Sequence, residues 1–101
     1  MADFNTVKDN FMERLVQNVP IVDRVPGEHQ PEFHTVRKLF EAICAKLENV
    51  EAGLPDLQEE FSQLRTVTNN YTVPDDVCET YAAVYQMLAE LNQAYMAATS
   101  D

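Results

Sequence analysis

Between Phe33 and Val50 the apolar residues Phe33, Val36, Phe40, Ile43, Leu47 and Val50 recur at spacings of three, four, three, four and three. That rhythm lays six side chains along one narrow stripe of an α-helix, the seam by which one helix meets another. A second stretch keeps the same beat through Val77, Tyr81, Val84, Leu88, Leu91, Tyr95 and Ala98. A half-buried strand would instead alternate apolar and polar residues at every second position, so both stripes predict helices.

The rest of the chain predicts what closes around these two elements. Asp3 or Asn5 can cap a first helix whose face is Phe4, Val7, Phe11 and Leu15. Pro20 lacks an amide hydrogen and disfavours the helical region for Val19, so this helix is expected to stop near Asn18. An extended connector over 19–30, carrying Pro20, Pro26 and Gly27, follows. Its apolar residues Val19, Ile21 and Val25 suit either a strap lying on the helices or a strip offered to a partner. Pro31-Glu32 opens helix 2, and Gly53 is placed to end it in a left-handed cap. Pro55-Asp56 starts helix 3, with Leu57, Phe61 and Leu64 on its face. The apolar rhythm runs on through Leu54, so one long helix kinked at Pro55 is the alternative. A break is the better expectation, because proline inside a helix costs about 3 kcal/mol and glycine about 1 more. Thr66 to Thr72 reads as a loop, and Thr72-Val73-Pro74-Asp75 as a capping box opening helix 4.

The fold expected is therefore all-α. It is an antiparallel bundle of three to four helices (about 4–18, 32–52, 55–67 and 74–98) in a single helical domain, 1–101. A chain of 101 residues can bury one core without a metal or disulfide staple. The two stripes can satisfy each other within the chain. Alternatively, because a strict two-in-seven seam is narrow, they can pair with a second copy in a homo-oligomer.

Charge narrows the partners. Seventeen acids face seven bases, a formal net charge of −10, and no Lys or Arg follows Arg65. Asp75, Asp76, Glu79 and Glu90 form a candidate acidic surface in the last third. Such a field repels phosphate backbones and anionic lipid, so neither direct nucleic-acid binding nor membrane-surface binding is expected. No apolar run is long enough to span a bilayer, and the opening residues Met1 to Asn5 lack the basic and apolar regions of a secretory signal. With two cysteines too far apart for a redox motif, a cytoplasmic setting with reduced thiols is expected.

The residues that could carry chemistry do not converge. His29 and His34 are five apart across Pro31, whereas two ligands on one helix face need a spacing of three or four. Glu28, His29 and Glu32 could meet a surface zinc ion, though exposed turn residues account for them as well. Cys44 and Cys78 each follow a stripe residue and suit the edge of a core. Glu59-Glu60 and Asp75-Asp76 are adjacent pairs, which point about 100° apart on a helix and cannot act as a dyad. No cofactor, metal site or enzymatic activity is expected. Tyr85 follows the stripe residue Val84, and with Met87 and Met96 it could form a second apolar patch, unless helix 4 carries a wide core stripe instead. Tyr85, Met87, Met96, Ile21 and Val25 are the candidate partner contacts. The expected function is a small acidic protein–protein interaction module (adaptor, assembly chaperone or structural component) acting through apolar helix faces. The alternative is an acidic inhibitor or immunity-type protein that blocks a basic site.

Overall fold

In the computed structural model, residues 4–24, 32–50, 54–73, 75, 77 and 79–99 are described. They form four helices, α1 (Phe4–Arg24), α2 (Glu32–Asn49), α3 (Gln58–Val67) and α4 (Glu79–Thr99), and no strand occurs among them. The bundle is a short rod of 41 × 23 × 22 Å. The helices run alternately up and down, as the side-chain pairings between their ends show. Phe4 at the start of α1 meets Tyr95 at the end of α4. Asp23 at the end of α1 meets His34 and Arg37 at the start of α2. Lys46 near the end of α2 reaches Glu60 at the start of α3, with Nζ and Oε2 2.8 Å apart. α1 packs along α4, α2 along α3, and α1 also meets α2.

The middle of each stripe is buried within the chain, while Leu47, Val50 and Val77 are half-buried and Ala98 is exposed. Phe33, Val36, Phe40 and Ile43 of α2 are buried, as are Tyr81, Val84, Leu88, Leu91 and Tyr95 of α4. Aromatic rings close the core at both ends. Phe33, Tyr81 and Tyr85 lie with ring centroids 4.9–6.3 Å apart at one end. Tyr95 sits between Phe4 and Phe61, at 5.7 and 5.3 Å, at the other.

Four boundaries differ from the sequence expectation. α1 does not stop near Asn18 but continues through Pro20 to Arg24, so residues 19–24 of the expected extended connector are helical. Val19 and Val22 explain this. Both are buried, and burying such side chains yields about 1.5–3 kcal/mol each, which offsets the roughly 3 kcal/mol cost of an internal proline. Residues 25–30 of the connector, Val25 included, lie outside the described residues. α2 is helical to Asn49, whose Nδ2 donates back to the Ala45 carbonyl at 2.9 Å, and Val50 has left the helix. The proposed cap at Gly53 lies outside the described residues. Residues 54–57 are non-helical, so α2 and α3 are separate helices.

α3 begins at Gln58, not at Pro55: the Asp56 carboxylate accepts from the Gln58 amide at 3.2 Å, and the Leu57 carbonyl accepts the first helical bond, from the Phe61 amide at 3.0 Å. The Leu57 amide is held by α4. It donates to the Tyr95 hydroxyl at 2.8 Å, and that hydroxyl donates in turn to the Pro55 carbonyl at 3.0 Å. α4 begins at Glu79, five residues later than expected. The Thr72 hydroxyl, cast as its cap, instead donates to the Asn69 carbonyl at 2.6 Å, the local competition typical of threonine in turns. Val73 and Val77 lean on the core from either side of this connection.

The α1–α2 junction carries a pH dependence. Burial pushes the Asp23 carboxyl up, but hydrogen bonds from His34 and Arg37, at 2.9 and 3.0 Å, outweigh it and hold the group below its ordinary value. A carboxylate with a depressed folded-state pKa contributes stability above its unfolded value, near 4, and loses it as pH falls through the folded value. Asp23→Asn is therefore expected to flatten the fall in unfolding free energy below about pH 4, measured by urea titration across pH 2–6.

Candidate functional site

The chain leaves α3 by a turn with an unusual backbone. Asn69, Asn70 and Tyr71 all adopt positive φ, at 52°, 60° and 61°. The first two follow from helix termination. The Asn70 amide donates to the Arg65 carbonyl at 2.7 Å and the Asn69 amide to the Thr66 carbonyl at 3.3 Å, the paired bonds of a Schellman ending. Asparagine tolerates the left-handed region and tyrosine does not, at a cost of roughly 1–2 kcal/mol.

Two bonds hold Tyr71 there. Its amide donates to the Thr68 hydroxyl at 2.8 Å, and its own hydroxyl donates to Oδ1 of Asn92 on α4 at 2.8 Å. Burial, eased by the nearby Arg65 charge, pushes the Tyr71 phenol above its ordinary value, so it remains a donor. Arg65, in the last turn of α3, donates to the same Asn92 oxygen from Nη1 at 3.0 Å. Asn92 itself is 5% exposed. Backbone strain at a residue held by side-chain bonds is a pointer to a functional position.

These residues line an open pocket of about 550 Å³ between α3 and α4, with Asn70, Ala89, Gln93 and Met96 completing its wall. A second hollow, of about 380 Å³, continues it toward the end of α4 and shares Arg65 and Met96. The helices are joined here through long side chains, the Phe61–Tyr95 ring contact and the Arg65–Asn92 bond, so their outer edges stay apart and the groove stays open.

Of the candidate partner contacts, this groove contains Met96, which is 48% exposed. Ile21 is also exposed, on α1. Tyr85 and Met87 are buried, at 1% and 6%, and are core residues and not surface contacts. The cause is a core wider than the two-in-seven seam. α4 packs against α1 and also meets Phe33 of α2, so flanking positions of its stripe are covered too. The candidate acidic surface separates into parts. Asp75 and Glu79 are exposed at the start of α4, where the helix dipole favours acids. Glu90 is exposed eleven residues beyond Glu79, about 16 Å along the helix. Asp76 lies outside the described residues.

His34 serves the Asp23 ion pair, while His29 and Cys78 lie outside the described residues. Cys44 is half-buried in a shallow groove of about 400 Å³ between α1 and α2, beside Met12, Val16 and Leu47. Burial, with Glu48 and Glu41 nearby, pushes its thiol up to about 11, which leaves it protonated and a poor nucleophile at neutral pH. Among the described residues no group of three or more His, Cys, Asp or Glu is placed to hold a metal ion. No helix among them is long and apolar enough to cross a membrane.

No spacing in the sequence joins Arg65, Tyr71 and Asn92 as a set. One signal was present: Asn92 is a polar residue directly beside Leu91 on the buried side of α4. No family model, curated protein or solved structure matches this chain.

Proposed function

We propose that this chain is a small, non-enzymatic, cytoplasmic interaction module (an adaptor, assembly chaperone or structural component) that engages another protein through the α3–α4 face. The observation that carries the reading is the outer side of α4. Ala82, Gln86, Ala89, Gln93 and Met96 are spaced four, three, four and three, a second helical seam on the side opposite the core, and all are partly or fully exposed. Between Thr80 and Thr99 the only charged residue is Glu90, in a chain whose net charge is −10. A solvated helix face of so acidic a protein would carry charge. A face that contacts another helix sheds it, because charges are depleted at the centres of interfaces.

The dispersal of Asp75, Glu79 and Glu90 weighs against a contiguous acidic decoy. Capture from nuclease-treated lysate of the source, with washes of rising salt, separates the two. The protein is compared with Ala89→Arg and with the paired neutralisation Asp75→Asn and Glu79→Gln. A partner retained at high salt and lost from Ala89→Arg supports the helix-face reading, as does a second copy that behaves the same way in sedimentation. A partner shed at moderate salt and lost only from the neutralised variant overturns it in favour of an acidic inhibitor.

A further inference from the structure

We infer that the pocket bounded by Arg65, Tyr71 and Asn92 is a recognition site for a side-chain carboxylate presented by the docking protein. The inference rests on the α3–α4 reading for the source of that carboxylate, and on the pocket alone for its chemistry.

The first support is the state of Arg65. Acids outnumber bases seventeen to seven, and among the described residues Arg37 and Lys46 are paired with carboxylates, while Arg14, Arg24 and Lys38 stand exposed in solvent without an ion pair and Lys8 is half-buried without one. Arg65 is half-buried, yet among the described residues its bond is to a neutral amide oxygen and no carboxylate lies within ion-pair distance of it. A guanidinium offers five N–H donors in a planar fork, and the bond to Asn92 uses one of them.

The second support is the polarity of what surrounds it. Asn92 Oδ1 accepts from both Arg65 and Tyr71, so its two lone-pair directions are taken and its amide orientation is set by two donors. What Asn92 has left to give is Nδ2, a donor. Arg65 has only donors. Asn70 and Gln93 bring further side-chain amides to the wall, and no acidic residue lines the pocket. A donor-rich pocket around one guanidinium matches a carboxylate, which accepts the fork in a bidentate pair.

Charge ranks the anions and does not itself favour one. The field of −10 opposes any anion, one guanidinium can offset a single negative charge, and a phosphate dianion would bring a second against the same field. Ala89 and Met96 complete the wall with apolar surface, which suits the methylene stem of a glutamate. Tyr71 is the positioning residue. Its strained backbone places the hydroxyl that fixes the Asn92 amide.

The test is a titration of the isotope-labelled whole protein, following the Arg65 Nε–Hε and Asn92 Nδ2 resonances. The probes are N-acetyl-glutamate methylamide, the uncharged N-acetyl-glutamine methylamide, sodium phosphate and sodium chloride at matched ionic strength. Expected are saturable shifts with the glutamate probe and binding at least about tenfold weaker with the glutamine probe. Shifts that do not saturate, that chloride reproduces, or that the glutamine probe matches overturn the inference, as does tighter binding of phosphate. Arg65→Gln is expected to abolish saturation while its remaining spectrum stays dispersed. Should that variant not fold, the wild-type titration decides by itself. Probe binding in a protein whose docking ignores Ala89→Arg would retain the pocket and remove the helix-face reading. Docking that depends on Ala89 without probe binding would do the reverse.

Discussion

Replacing Tyr85 with alanine is expected to destabilise the bundle by about 4 kcal/mol, read as a fall of roughly 16–30 °C in thermal midpoint. The size follows from what the ring touches. Tyr85 is 1% exposed and lies parallel to Phe33, with centroids 6.3 Å apart, and against Tyr81 at 4.9 Å. Truncating a buried aromatic costs about 3–5 kcal/mol, a range that already includes its lost ring contacts. A domain of this size has about 5–15 kcal/mol in total, so the variant would be near the edge of folding at 37 °C. The measurement also settles the role of this residue. A tyrosine that served as an exposed partner contact would change stability by less than about 0.5 kcal/mol when truncated. A midpoint within a few degrees of wild type would return Tyr85 to the surface.

Tyr95→Phe is the second large effect, expected at about 2–3 kcal/mol, and it isolates hydrogen bonding from packing. The ring contacts to Phe4 and Phe61 survive the change. What goes is a single oxygen that serves two backbone groups, accepting from the Leu57 amide and donating to the Pro55 carbonyl. Leu57 is wholly buried, so its amide would be left without water or partner, and a stranded buried donor costs about 1–3 kcal/mol. Urea denaturation should show a lower midpoint at unchanged slope. The Leu57 amide should lose hydrogen-exchange protection. An unchanged midpoint would mean that the α2–α3 connection does not depend on α4.

The elements most legible in the sequence were those whose own periodicity decided them. The stripes from Phe33 and from Val77 needed nothing distant to predict a helix, and Phe33 to Ile43 and Tyr81 to Tyr95 of them became core, while Val50 and Val77 lie outside the helices and Ala98 is exposed. The boundaries that differed were decided elsewhere in the chain. Pro20 announces a stop, but the burial of Val19 and Val22 that overrides it is a tertiary fact. Pro55-Asp56 announces a start, but the hydroxyl that ties Pro55 and Leu57 to α4 belongs to Tyr95, which no local pattern connects with them. The pocket is hidden for the same reason. Arg65 and Tyr71 reach Asn92 across separations of 27 and 21 residues, and no local pattern joins them. The width of the α4 core was also out of reach, since a helix seam shows where contact begins and not how many neighbours extend it. Tyr85 and Met87 therefore suit either a second apolar patch or a wide core stripe in sequence, and their burial decides for the stripe.

The pairing of α1 with α4 has a consequence for how the chain is made. Between the end of α1 and the start of α4 lie about 55 residues, which a ribosome needs roughly 3–11 s to add. Throughout that interval α1 can meet α2, but its side that packs along α4 stays uncovered. The middle pair, α2 and α3, can close over a short connection as soon as it emerges, whereas α1 waits for the helix made last. Chain closure over that span costs only slowly growing entropy, so the delay is one of supply and not of stability. During it, the α4-facing side of α1 is apolar surface without its cover.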